Sequence, residues 1–198
     1  MGWDRFRIEM GYASVMTELD RFFIIQEQDG YTPKIGLLVS MLQNSRHYLL
    51  RAVRDLSQAE LDARPLGAVN TIASLLAHLN AAETMFQRMT FEGRRFAPDE
   101  IQLQTDFRLE NSDQTRNQPL EVYLQALAET RTRTLQGMKA REDAWLETET
   151  TFFGQPANWH YYWFHYLQDE VRHTGQITLI RKHLIPEAQK DFNPYSMT

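Results

Sequence analysis

Trp159-His160-Tyr161-Tyr162-Trp163-Phe164-His165-Tyr166-Leu167-Gln168-Asp169-Glu170-Val171-Arg172-His173-Thr174-Gly175-Gln176-Ile177 is the stretch whose periodicity decides the fold. Large apolar residues recur at Trp159, Tyr162 and Trp163, Tyr166 and Leu167, then at Ile177, Ile180 and Leu184, a spacing of three or four that marks one stripe of a helix. Asp169, His173 and Gln176 fall on the same stripe. Asp169 and His173 are about one turn apart, so both project from one face, as paired metal ligands on a helix must. An ionised carboxylate in a core-facing stripe is costly unless something replaces its lost hydration. A divalent cation would do so, and so would an arginine. The pair therefore has two readings, metal ligands or a self-satisfied polar cluster drawing on Arg172 or Arg181.

Working outward, the rest of the chain also reads as helices. Thr32-Pro33 is a cap followed by proline at the first helical position, and a first long helix runs from there through Ile35, Leu38, Leu42, Leu49, Val53 and Leu56. Ser57 and Glu60 form a capping-box pattern for a short helix ending near Pro65. Asn70 is placed to cap a second long helix carrying Ile72, Leu75, Leu76, Leu79, Phe86 and Met89, with His78 at the edge of its stripe. Residues 92 to 118 lack periodicity and read as a long crossing connection. Pro119 and Glu121 open a third long helix, Gly154-Gln155-Pro156 breaks the chain before the fourth, and Pro186 lies beyond its end. The expectation is an all-α four-helix bundle with a long crossover, a fold that builds cofactor sites from inward side chains on facing helices. An extra helix is expected over about residues 12 to 28.

Composition bounds the function. The 198 residues suit one domain, with 42% hydrophobic and 24% charged residues, the ordinary globular mix. There is no cysteine, which excludes disulfides, thiolate ligands and a cysteine nucleophile. Any thiol chemistry must use a thiol that a substrate brings. The net charge is 21 minus 26, or -5, without a basic block, so nucleic acid is a disfavoured partner. No apolar run reaches membrane-spanning length and Met1-Gly2-Trp3-Asp4-Arg5 lacks a signal-peptide layout, so the cytoplasm is the expected compartment.

Two stretches carry a resemblance. Leu56-Ser57-Gln58-Ala59-Glu60-Leu61-Asp62-Ala63-Arg64-Pro65, followed by Ile72-Ala73-Ser74-Leu75-Leu76-Ala77-His78-Leu79-Asn80-Ala81-Ala82-Glu83, and later His165 to Ile177, together resemble the DinB/YfiT-like superfamily of bacterial metalloproteins. The resemblance spans roughly residues 35 to 185 and leaves residues 1 to 31 as an N-terminal extension. It implies a four-helix bundle of the DinB/YfiT-like type, one metal ligand from the second bundle helix and two from the fourth, the last just before a Gly-Gln pair. Those positions are His78, Asp169 and His173, with Gly175-Gln176 following. The departure is Asp169, where many members have histidine. The resemblance also implies a homodimer, and a small thiol as one partner.

Three protein ligands suit a catalytic divalent site with positions left for water or substrate. Imidazole and carboxylate accept zinc, nickel, iron or manganese alike. The leading expectation is a metal-dependent transferase or hydrolase that activates a small thiol or water against a small electrophile. The alternative is a non-catalytic metal- or ligand-binding stress-response protein. Gln176, Arg172 and His165 are pocket candidates, His165 as readily lining the pocket or orienting Asp169 as binding metal itself. Glu83, five residues after His78, faces away and is expected to be solvated or salt-bridged. Glu170 is expected not to be a ligand, and His47, His160 and His183 read as surface or packing residues.

Overall fold

The computed structural model describes residues 23–65, 68–110, 112 and 116–184. Four long helices, α1 (Pro33–Val53), α3 (Ile72–Phe91), α5 (Leu120–Lys139) and α7 (Trp159–Leu184), form the bundle. Short helices α2 (Gln58–Asp62), α4 (Ile101–Phe107) and α6 (Asp143–Leu146) lie between them, with a hairpin of β1 (Glu149–Phe152) and β2 (Gln155–Asn158). The long helices pack in the cyclic order α1, α7, α3, α5, while α4 lies against α3. The all-α bundle expected from the periodicity is the fold observed.

Capping explains where the helices begin. Pro33 occupies the first turn of α1, whose free backbone N–H groups at Lys34 and Ile35 donate to the Asp143 carboxylate of α6, each at 3.1 Å. Ser57 and Glu60 make both bonds of the capping box on α2. The cap of α3 is Thr71 rather than Asn70: its Oγ1 accepts from the Ser74 N–H at 3.0 Å. Asp62 at the end of α2 accepts from the backbone N–H groups of Arg116 and Asn117, both at 2.9 Å, and so fixes the end of the crossover.

Three expectations need correction. The connection after α3 contains α4, a helix too short to show a stripe and without a side-chain cap. The segment read only as a break before the fourth helix is a hairpin, in which Thr151 faces Pro156 and Phe152 faces Gln155. Residues 24–28, the described end of the expected N-terminal helix, are not helical; the remainder of that helix lies outside the described residues. Among the described residues, no helix is long and apolar enough to cross a membrane.

The core has two apolar clusters. One joins Leu49 and Val53, Leu75 and Leu79, Leu127 and Ile177 at one end of the bundle. The other joins Ile35 and Leu42, Phe86, Met138, Trp163 and Tyr166 at the opposite end. Between them lies a level of buried polar residues.

Candidate metal centre

His78 is brought to that level by a continuously buried run of α3, Ile72 to Leu76, and is itself 8% exposed. It meets Asp169 and His173 of α7, as the sequence pattern requires of inward-facing positions on adjacent helices. His78 Nε2 lies 3.2 Å from one Asp169 carboxylate oxygen, and His173 Nε2 lies 3.4 Å from the other. The two rings meet edge to face with centroids 4.7 Å apart. One nitrogen or oxygen from each residue falls within 4.8 Å of the others, close enough for the group to hold a metal ion.

The far side of each ring decides what the near side offers. His78 Nδ1 is 3.1 Å from the backbone carbonyl of Asp106, and His173 Nδ1 is 2.9 Å from Oε1 of Gln176. Carbonyl oxygens only accept, so each Nδ1 must carry the proton and donate it. Each Nε2 therefore faces the Asp169 carboxylate: a protonated ring donates to it, and a neutral ring turns a lone pair toward it with nothing positive between them. Such second partners fix the tautomer and orientation of metal-bound histidines.

Electrostatics favour positive charge between these atoms. Burial pushes the Asp169 carboxyl up, but hydrogen bonds to His173 and His78 outweigh it and hold the group well below the usual carboxylate range. Burial lowers His173, yet Asp169 and Gln176 reverse that and raise it. The cluster draws positive charge, whether a proton or a cation.

A model described as mycothiol S-transferase matches residues 37–185, which include all three side chains and both of their supports. The chain belongs to the mycothiol S-transferase family. That family lies within the DinB/YfiT-like superfamily, so the resemblance read from residues 56 to 83 and 165 to 177 holds. A search of curated proteins gave no match.

The remaining candidates separate by position. His165 lines a cleft of about 390 Å³ that opens onto His78 and Asp169, walled by Met85, Phe86, Phe107, Phe152 and Tyr162. Its ring packs 4.7 Å from Phe152; burial lowers its pKa, with the charge of Asp169 opposing and that of Arg172 assisting. Gln176 supports His173 from an exposed position, and Arg172 is exposed on the outer face of α7. His160 and His183 are exposed, and His47 is half-buried.

The expectation that Glu83 is solvated is wrong, and its salt-bridging alternative is right. Glu83 and Glu170 are fully buried and pair with two arginines. Arg46 Nε is 2.6 Å from Glu170 and its Nη2 is 2.7 Å from Glu83; Arg131 Nε is 2.6 Å from Glu83 and its Nη2 is 3.3 Å from Glu170. Ser45 donates to Glu170, while Tyr166 and Thr134 donate to Glu83. The remaining guanidinium protons reach the carbonyls of Leu127 and Leu42. A signal for this quartet was present in the sequence: Arg46 lies between Leu42 and Leu49, Glu83 between Leu79 and Phe86, and Arg131 between Leu127 and Leu135, each charge inside an apolar stripe. Asp106, by contrast, supports His78 through its main chain, which no side-chain pattern reveals.

Proposed function

We propose that His78, Asp169 and His173 hold one divalent cation, and that the protein transfers a low-molecular-weight thiol, such as the mycothiol of the family's name, to an electrophilic small molecule. The observation that carries this reading is the orientation of the two histidines: their Nδ1 atoms are engaged by Asp106 and Gln176, and both Nε2 atoms converge on a carboxylate, where neutral rings would offer lone pairs to a cation. A bound divalent cation would lower the pKa of a thiol brought to it and so supply thiolate near neutral pH. With no cysteine in the chain, the nucleophile comes from the cosubstrate. Asp169 lowers the charge of the site, His165 flanks the cleft, and the aromatic wall excludes water from the electrophile. Water in place of the thiol would make the same site a hydrolase.

Metal analysis of the purified protein and of His78→Ala, Asp169→Ala and His173→Ala tests the ligand set. About one metal per chain is expected in the parent and most of it lost in each variant, with chelator abolishing transfer of mycothiol to a chromogenic aryl halide. Full metal content in all three variants would overturn the assignment. Metal retained without turnover of any thiol and electrophile pair would favour the non-catalytic reading.

A further inference from the structure

The hairpin and Arg95 shape the mouth of the cleft in ways that the fold alone does not require. Phe153 and Gly154 form a two-residue loop with φ of 48° and 78°, both in the left-handed region. Loops of this kind favour Asn-Gly, because a bulky side chain in that region is strained by roughly 1–3 kcal/mol. Phe153 recovers little within the chain: it is 90% exposed, its ring meeting Phe152 edge to face at 4.8 Å. It nevertheless lines the cleft that leads to His78 and Asp169.

Charge at the same mouth is unbalanced. Arg88 and Arg94 are both paired with Glu92 and Glu100. Arg95 lines the cleft and, among the described residues, makes no ion pair. It lies near enough to Tyr162 for its charge to act on that phenol, against the upward effect of burial. An exposed guanidinium beside an aromatic and thioether wall, Met85, Met89, Phe107 and Phe152 among it, is complementary to a flat apolar body carrying an anionic group.

We propose that the electrophile is a ring-bearing molecule with a carboxylate or similar anion, its ring covered by Phe153 of the hairpin and its anion met by Arg95. The proposal rests on the transferase reading for calling the guest an electrophile. Its shape and charge rest on the cleft alone.

Calorimetric binding of para-chloro-meta-nitrobenzoate and of the matching neutral benzamide tests it without turnover. The parent is expected to bind the benzoate about tenfold more tightly than the benzamide, a difference in the range of one hydrogen bond to a charged group. Arg95→Gln should erase that preference. Phe153→Asn should weaken both probes about threefold, through lost apolar contact, while the melting temperature stays equal or rises as the strain is released. Equal binding of the two probes by the parent would overturn the proposal. So would an unchanged preference in Arg95→Gln, which would place the carboxylate elsewhere in the cleft, or unchanged affinity in Phe153→Asn. The same probes then test transfer: the thiolate sulfur bonds to the chlorine-bearing ring carbon, chloride leaves with the electron pair and the thiol proton passes to solvent. Binding preference without transfer of any thiol would sink the transferase reading and leave the cleft's selectivity standing.

Discussion

The buried quartet draws one residue from each of the four long helices, the candidate metal centre only from α3 and α7, and the two handle the negative charge on those shared helices in opposite ways. Glu83 and Glu170 are met by Arg46 and Arg131, so two carboxylates and two guanidiniums cancel within the protein. Asp169, next in sequence to Glu170, is met by two imidazoles whose outer nitrogens are already committed. One cluster is complete as folded, and the other, on the proposed reading, takes a cation. Rotation about the helix axis by one residue separates a structural cross-brace from the proposed cation site.

The largest effect should come from breaking the complete cluster. Glu83→Ala leaves two buried arginines with one carboxylate, and urea denaturation should report a loss of about 3–5 kcal/mol. Chelator should lower the stability of the parent and of this variant by similar increments, because among the described residues no ion pair joins the two clusters. No response to chelator in the parent would mean that the second cluster is as self-sufficient as the first.

Acid should sharpen the difference. Burial raises the Glu83 carboxyl, but Arg131 and Arg46 outweigh it and bring it from 4.5 to about 2. Its contribution is present above the unfolded value of 4.5 and is lost as pH falls through about 2; that difference of roughly 2.5 units corresponds to about 3 kcal/mol, to order of magnitude. Metal binding needs unprotonated Nε2 atoms, so protons should compete with the cation for the two rings as the pH falls. An acid titration followed by metal content and circular dichroism should show metal leaving while the helices persist. Simultaneous loss of both signals would tie the fold to the cation.

The smallest effect should come from Gln176→Leu, which removes the partner of His173 Nδ1 at an exposed position. Metal affinity should drop by about 10–100-fold, read by competition with a chromogenic chelator, and unfolding stability of the metal-free protein should change by under about 0.5 kcal/mol. Unaltered affinity would show that His173 is oriented by packing alone.

Much of this was legible in the sequence because helical periodicity and capping act over a few residues. The stripe from Trp159 to Leu184, the Ser57-Glu60 box and the proline at the start of α1 are local statements, and so is the spacing of Asp169 and His173. The pairing of Arg46 with Glu170 spans 124 positions, and each charge read alone is compatible with a solvated face. The hairpin escaped because its turn uses Phe-Gly where Asn-Gly would announce it, and because Pro156 reads as a breaker although it pairs opposite Thr151. Helix α4 escaped because seven residues do not establish a period.

The carbonyl of Asp106 makes the crossover more than a tether between α3 and α5. If α4 lifts away from α3, His78 loses the acceptor that fixes its tautomer and the cation is held less tightly; by thermodynamic reciprocity, the cation must resist that lifting by the same factor. At the 10–100-fold typical of such a partner, this is about 1.4–2.7 kcal/mol. Amide protons in Ile101–Phe107 should therefore exchange more slowly when metal is present, although none of those residues is among the proposed ligands. A change in the crossover could then set how long the metal stays without altering a ligand, which gives the chain a way to adjust metal retention separately from the chemistry of the site.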